Sequence, residues 1–512
     1  MNEMAATDEP CRCHIVAVPY PGRGHVNAML SLSRLLAARG AEVTFVVTEE
    51  WLGLILSSSA AAPLPAGVRL RAIPNVIPSE HGRGADHAGF LDAVATEMEA
   101  PFERLLDRTP GRGRPAGRCA RGRHLLGVGR RRRQPEGRPE KPEQRLEQCI
   151  SGLASSSITL SDLKPLIHNE RTLQHVLTAV SRIKNVQCLL FTTMYELETS
   201  VISSLRSALP CPVFPIGPCV PYTTLEDQHS KSSRELTSPG DCFTWLDSQP
   251  VNSVLYVSLG SFLSVSASQL DEIAVGLAAS EVRFLWILRE QTPRVRELVG
   301  GIDRGMILAW CDQLKVLCHP SVGGFLTHCG MNSTLESVFA GVPMLALPLF
   351  FDQPVDSRLI VEEWKIGLEL RDWTDKDRLI PSEEIARAIK KLMDSDEADM
   401  EAIRRCALEW KECSVRAVKE DGSSYNNLSS LMEILAVGSE VGSKSFAMRN
   451  MMKGLVKAKL FKQWNKMKDR STADMDEAEK RKHAKAIKMV EQELGLEEEE
   501  EEEEEQEQEE EE

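Results

Sequence analysis

Short apolar runs alternate with amphipathic helical stretches along most of the chain. An apolar run at residues 14–19 is followed by a turn, by helical apolar spacing over 26–38, and by a second run at 42–48. A series of strand, helix and strand is typical of a parallel sheet whose strands are joined by helices. The same alternation predicts further strands at 68–73, 189–193, 213–216, 254–259, 284–288, 306–309 and 323–327, and an apolar run at 342–351.

The chain length indicates more than one hydrophobic core. A chain of 512 residues exceeds what a single core normally serves, so two domains with additional segments are expected. A stretch rich in proline, serine and charge separates the two series of strands and is typical of an interdomain linker. We predict an α/β protein with a Rossmann-like domain at 1–216, a linker at 217–241, a second Rossmann-like domain at 242–436 and a tail at 437–512.

Residues 109–149 do not fit this pattern. They are dominated by arginine, glycine and proline, and no aromatic residue occurs between Phe102 and Phe191. Such a composition buries too little apolar surface to offset the ordering of its backbone, so disorder and an incomplete N-terminal sheet are expected. Two interpretations stay open. The arginines at 130–133 form a basic arm for an anionic partner, or the segment results from a wrong reading frame or a faulty gene model; the abrupt change of composition favours the second.

The charge of the chain is concentrated in its tail. The net charge is −15, but residues 497–512 contain 14 glutamates, so the remainder is nearly neutral. We therefore predict neither a nucleic acid nor a membrane as a partner. Residues 447–494 show some helical periodicity, and the polyglutamate run after them is expected to be solvated and disordered. A protein that acts through this tail on an unidentified partner is kept as a minority hypothesis.

Cysteine usage and hydropathy indicate the compartment. The thirteen cysteines are scattered without a CxxC pair, no apolar run reaches transmembrane length, and the N-terminal residues lack the basic and apolar segments of a secretory signal. We therefore predict a reduced, cytoplasmic setting.

The residues that carry the chemistry are concentrated at 310–353. An apolar run ends at His328, a tight turn follows, and helical spacing begins near Asn332 and Ser333. A helix N-terminus offers unpaired N–H groups and partial positive charge, so it favours an anion. The alternative is that Asn332 or Ser333 only caps the helix. Because Asp352 also follows an apolar run, polar groups should converge at the strand ends, where ligands bind in open α/β sheets.

The stretch 310–353 resembles, without a gap, the signature box of plant UDP-dependent glycosyltransferases that act on small molecules. This resemblance covers residues 12–436 apart from 109–149 and implies the GT-B fold, in which two Rossmann-like domains face a cleft. The C-terminal domain would bind the UDP-sugar and the N-terminal domain the acceptor. The implied donor-binding residues are Ser261, Trp310, Cys311, Gln313, His328, Gly330, Asn332, Ser333, Glu336, Asp352 and Gln353.

The resemblance also implies individual roles. Trp310 would stack on the uracil, Gln313 would contact the base, and Glu336 would hold the ribose hydroxyls. The remaining polar contacts would be those of Ser261, His328, Asn332 and Ser333 with the diphosphate and of Asp352 and Gln353 with the sugar. A final glutamine implies a preference for glucose. One departure is Met331, where the family usually has tryptophan; a thioether lacks the rigid face and N–H of an indole, so weaker donor binding is expected.

His25 is the candidate catalytic residue. It follows Gly22 and Gly24 at a strand-to-helix turn, but Asn27 replaces the third glycine of a dinucleotide fingerprint. A single histidine at a turn is more often structural, yet in the resembling family the histidine of this PGxGH turn is the general base. The carboxylate that orients it in that family would come from within 109–149, where no aspartate occurs.

The expected activity is the inverting transfer of glucose from UDP-glucose to a hydroxyl of a small phenolic, terpenoid or hormone-like acceptor. Two alternatives stay open beside it: a catalytically impaired UDP-sugar-binding protein, and the tail-mediated interaction protein. No cofactor and no metal are expected, because the DxD-like residues 394–396 lie between helical stretches and are better explained as a helix cap.

Overall fold

The computed structural model describes most of both predicted domains. The described residues are 13–57, 64–65, 67–80, 87–108, 123–127, 183, 186–220, 242–260, 265–288, 292–300, 304–370, 378–394 and 397–440. Ser261, most of the predicted linker and nearly all of the predicted tail lie outside them.

Within the described residues, the N-terminal sheet contains four parallel strands. Its elements in chain order are β1 (His14–Val18), α1 (Arg23–Ala38), β2 (Glu42–Thr48), α2 (Glu49–Ser57), β3 (Val68–Ile73), α3 (His87–Glu97), α4 (Glu99–Arg108) and β4 (Arg123–Gly127). The strand order is β3-β2-β1-β4. A separate parallel pair consists of β5 (Leu189–Phe191) and β6 (Val213–Pro215), with α5 (Thr199–Ala208) between them in sequence. Residues 87–108 form two helices rather than one, and Pro101, which has no N–H, lies within the first turn of the second.

One strand lies inside the stretch that the composition predicts to be disordered. Residues 123–127 pair in parallel with β1, with His14 opposite Arg123 and Val18 opposite Gly127. The prediction of disorder is therefore wrong for these five residues. Their sequence contains Leu125 and Leu126 within an otherwise basic segment, and two adjacent apolar residues suffice for a short edge strand where the average composition does not. The rest of 109–149 lies outside the described residues.

The C-terminal sheet contains six parallel strands in the part of the chain that the structure describes. Its elements are α6 (Cys242–Asp247), β7 (Val254–Ser258), α7 (Ala267–Ser280), β8 (Arg283–Ile287), α8 (Thr292–Val299), β9 (Gly305–Leu308), α9 (Gln313–Leu317), β10 (Val322–Thr327), α10 (Met331–Ala340), β11 (Met344–Ala346), α11 (Gln353–Arg358), a π-helical turn (Leu359–Glu363), β12 (Gly367–Glu369), α12 (Ser382–Met393), α13 (Ala398–Val418) and α14 (Ser423–Glu440). The strand order is β12-β11-β10-β7-β8-β9. This is the doubly wound Rossmann order, in which the chain changes direction between β7 and β10.

The C-terminal sheet is buried on both faces. Alternate residues of β7 pack into two different clusters, Tyr256 on one side and Leu255 with Val257 on the other. The last helix returns to the first domain, because Leu428 and Leu431 of α14 pack into the core formed around β1 and β2. Among the helices that the structure describes, none is long and apolar enough to cross a membrane.

Candidate functional site

The ends of β7 and β10 define the candidate site. These neighbouring strands pair in parallel, with Thr327 opposite Ser258 at their carboxyl ends. The chain leaves them in opposite directions across the sheet, and the crevice at such a switch point is where ligands bind in open α/β sheets. His328 follows β10 and Gly260 lies two residues beyond β7, so the sequence segments that the motif singled out meet at this edge.

His328 lies between two glycines at this edge. A Cβ atom at Gly260 or at Gly330 would lie 2.8 or 2.6 Å from its Nε2 atom, so both positions leave space for the imidazole. Desolvation lowers the pKa of His328 to about 4, and the nearby backbone carbonyl of Ser258 acts in the opposite direction. The ring is therefore neutral near pH 7. Its buried Nδ1 atom has no hydrogen-bond partner among the described residues.

The N-terminus of α10 lacks a side-chain cap. Its N-cap residue is Gly330, and neither Asn332 nor Ser333 caps it. Instead, the Nδ2 atom of Asn332 donates to the carbonyl of Gly24 at 2.8 Å, and the Oγ atom of Ser333 accepts from Gln313 at 2.9 Å. The capping alternative is thus not realised, and the helix start keeps first-turn amides without a side-chain cap, an arrangement that favours an anion.

A hydrogen-bonded cluster lies beside this helix start. Gln313 donates through Nε2 to Ser333 and, at 2.6 Å, to Glu336, while its Oε1 atom accepts from the hydroxyl of Tyr256 at 3.2 Å. Cys311 is buried and its Sγ atom lies 3.5 Å from the same hydroxyl. Burial raises the pKa of Cys311 to about 12, so this thiol is a structural group rather than an ionised one.

Two residues of this region have properties suited to a nucleoside. Trp310 is 45% exposed, which is unusual among the tryptophans that the structure describes and leaves indole surface for a planar ring. Burial raises the pKa of Glu336 to about 7, with the hydrogen bond from Gln313 lowering it and the charge of Asp312 raising it further. A carboxyl group near half-ionisation can accept hydrogen bonds from a vicinal diol once it loses its proton.

Asp352 and Gln353 occupy the start of α11. Burial raises the pKa of Asp352, and the charge of His25 acts in the opposite direction, so these two groups lie within electrostatic reach of each other. Gln353 is only 4% exposed, and its Oε1 atom accepts from the backbone N–H groups of Leu349 and Phe350. The loop therefore uses the amide oxygen of Gln353, and the amide nitrogen is the group left for a ligand.

His25 lies in the first turn of α1. It is exposed, and its ring packs edge-to-face against Tyr20 at a centroid distance of 5.1 Å. The N-cap of α1 is Gly22, again without a side-chain cap. Two uncapped helix starts, those of α1 and α10, are thus joined by the hydrogen bond between Asn332 and Gly24. The segment 109–149, from which the orienting carboxylate of the resembling family would come, lies outside the residues whose side chains are described.

The structure brings the predicted residues together except Ser261, which lies outside the described residues. Sequence reasoning did not identify Tyr256 or Gly260. Tyr256 is an inward-facing strand residue, and Gly260 follows the strand in a left-handed conformation with φ of 83°; both lie opposite the motif only through the pairing of β7 with β10. In the part of the chain that the structure covers, no group of three His, Cys, Asp or Glu side chains is arranged to hold a metal ion. Metal independence stays a prediction.

The family models and the sequence relatives that match this chain are all described as glycosyltransferases. A family model described as UDP-glucoronosyl and UDP-glucosyl transferase matches residues 171–407, and one described as the N-terminal domain of glycosyltransferases matches residues 12–53. The UDP-glycosyltransferase 87A2 of Arabidopsis thaliana is 39% identical over 81% of this chain and 95% of its own length. The 7-deoxyloganetin glucosyltransferase of Catharanthus roseus is 30% identical over 85% of this chain and 99% of its own length.

A solved structure extends the comparison to the fold. UGT2 of Phytolacca americana, complexed with UDP-2-fluoro-glucose and pterostilbene, superposes with a TM-score of 0.62 at 26% identity. The match covers 82% of this chain and 98% of that one. The two parallel sheets therefore form the GT-B architecture that the sequence predicts.

Proposed function

This chain belongs to the plant UDP-dependent glycosyltransferases that act on small molecules, and we propose that its reaction is the inverting transfer of glucose from UDP-glucose to an acceptor hydroxyl. The observation that carries the proposal is the convergence of an uncapped helix start, a neutral His328 and the turn of His25 at one edge. The helix start suits a diphosphate, and His25, whose neighbour Gly24 contacts that helix start, would act on the acceptor as a general base.

In the proposed reaction, His25 takes the proton of the acceptor hydroxyl as the oxygen attacks the anomeric carbon. The new bond forms from the acceptor oxygen to that carbon, and the bond from the carbon to the β-phosphate oxygen breaks on the opposite face. The configuration is therefore inverted and UDP leaves with the electron pair. Both substrates must be held in line, which supplies part of the rate enhancement.

Fixed dipoles would stabilise the charge that develops on the leaving diphosphate. The uncapped amides of α10 and one N–H of His328 provide donors that need no rearrangement during the reaction. A neutral imidazole can donate one hydrogen bond without carrying a charge of its own. We propose on this basis that the enzyme needs no metal ion.

The nucleoside end is assigned to the cluster around Gln313. The exposed face of Trp310 would stack on uracil, and the ionised Glu336 would accept from the ribose hydroxyls. Asp352 and the amide nitrogen of Gln353 would contact the sugar. For the acceptor, we propose a phenolic, terpenoid or hormone-like hydroxyl compound. The glucosyltransferase named for 7-deoxyloganetin and the complex of UGT2 with pterostilbene support this range.

The test is glucose transfer by the purified full chain from UDP-glucose to a panel of phenolic and terpenoid alcohols. We expect a β-glucoside, identified by the proton coupling at its anomeric carbon, formed equally well with and without a chelator. An α-linked product would contradict inversion, and loss of activity in the chelator would contradict metal independence. UDP-glucose binding by calorimetry without turnover on any acceptor would favour the impaired binding protein instead.

A further inference from the structure

The hydrogen bond between Asn332 and Gly24 joins two parts of the chain that are 308 positions apart. Asn332 lies in the first turn of α10, and Gly24 directly precedes His25 in the first turn of α1. The approach is tight at the glycine, since a Cβ atom at position 24 would lie 3.1 Å from the Nδ2 atom of Asn332, which would have to shift by a few tenths of an ångström. The start of the helix assigned to the diphosphate is thereby tied to the turn that carries the histidine.

The side-chain amide of Asn332 has enough donors to bind Gly24 and a phosphate oxygen at the same time. A side-chain amide has two N–H donors and a carbonyl acceptor. One N–H is given to Gly24, and this is the hydrogen bond that the described residues provide for the side chain. The second N–H is then available to a phosphate oxygen at the same uncapped helix start, so one side chain can contact the donor and the His25 turn together.

A second observation places the His25 turn against the same edge. The carboxyl group of Asp352, at the start of α11, is influenced by the charge of His25. Asn332 and Asp352 lie at the starts of two different helices of the C-terminal domain, and both are near the turn that carries His25. His25 itself is exposed, and its ring packs edge-to-face against Tyr20.

We infer that Asn332 is a positioning residue for His25, holding the turn of the general base in register with the bound diphosphate. The inference rests on the proposed function of His25. A residue that only bound donor would affect the occupancy of the site, whereas a positioning residue also affects turnover once the site is full. A displacement of the base by about 1 Å is enough to lower a rate by about 100-fold.

The sharpest test alters the contact from the side that does not touch donor. Gly24→Ala should weaken the contact with Asn332 without removing any donor-binding side chain, and alanine suits this helical position. We expect kcat at saturating UDP-glucose to fall by about tenfold or more, with the Kd of UDP changed by less than about twofold. Gly53→Ala is the matched control, because Gly53 also lies in a helix and a Cβ there meets nothing within 4 Å.

A double-substitution cycle supplies the second arm. Asn332→Ala should lower kcat in the wild-type background and have no further effect on kcat in the His25→Ala background, and Asn332→Gln, which keeps the donor, should restore part of the loss. A wild-type kcat in Gly24→Ala, or effects of Asn332→Ala and His25→Ala that multiply, would overturn the inference. A wild-type kcat in His25→Ala would instead overturn the proposed role of His25.

Discussion

The turn after β1 and the turn after β10 are built alike but supported differently. Each leads into a helix whose N-cap is a glycine without a side-chain bond. After β10, the polar groups bind each other, with Gln313 joining Ser333 and Glu336 within one domain. After β1, His25 is exposed, and the neighbouring Gly24 is bound from the other domain by Asn332. Donor binding should therefore depend on the C-terminal domain alone, while positioning of the base depends on both.

The largest effect is expected from substituting His25 in the turn after β1. His25→Ala should lower kcat by about 10²- to 10⁴-fold, because a general base contributes about that much, while the Kd of UDP-glucose stays unchanged. Kinetics at saturating donor and calorimetry with UDP-glucose measure the two quantities separately. Asn27→Ala, an exposed position in the same helix, is the control for a change that only alters the helix surface. A large loss of donor affinity in His25→Ala would show that the two turns are not separable.

Several elements were predictable because their patterns are local. The strands at 42–48 and 68–73 were predicted with the observed bounds, and a glycine lies shortly before each apolar run. The run at 342–351 gave a strand only over Met344–Ala346, because Pro343 and Pro348 cannot donate to a sheet and enclose it. The residues of the signature box were predictable as a group because they follow one another within one continuous stretch of sequence, 310–353.

The contacts that support the site could not be predicted in this way. The strand at 123–127 was missed because the composition was averaged over a basic segment. The approach of Gly260 to His328 depends on the pairing of β7 with β10, and the contact of Asn332 with Gly24 depends on how the two halves pack. Neither leaves a periodic pattern in the sequence. The motif thus indicates which groups meet the donor, and only the fold shows which groups hold the base.

A smaller effect is expected from substituting Gly260, which lies next to His328 of the turn after β10. Gly260→Ala would place a Cβ atom 2.8 Å from Nε2 of His328 and displace the ring from the diphosphate. Loss of one hydrogen bond to a charged group costs about 1.5–3 kcal/mol, so UDP-glucose affinity should fall by about 10- to 150-fold. Calorimetry with the purified variant measures this directly.

The control for Gly260→Ala must separate backbone strain from the displaced ring. Gly40 has a similar positive φ, 88° against 83° for Gly260, but a Cβ there meets nothing within 4 Å. Gly40→Ala should therefore lower the melting temperature through strain alone and leave donor affinity unchanged. Equal donor affinity in the two variants would show that His328 does not bind the diphosphate.

The smallest effect concerns how donor binding depends on pH. Because the pKa of Glu336 is raised to about 7, the ionised form that accepts from ribose becomes populated between about pH 6 and 8, and UDP-glucose affinity should rise by up to about tenfold over that range. Glu336→Gln removes the titrating group, so its affinity should be lower at pH 8 and independent of pH. UDP-glucose is the proper ligand because its diphosphate carries no proton to lose in this range.

Unfolding does not explain weaker binding at low pH. The pKa of Glu336 is raised on folding from 4.5 to about 7, so its contribution lowers the free energy of unfolding as the pH rises through that window. This is the opposite direction to the expected change in affinity. A wild-type affinity that does not change between pH 6 and 8 would remove Glu336 from the ribose site and leave the exposed face of Trp310 as the main support for the nucleoside.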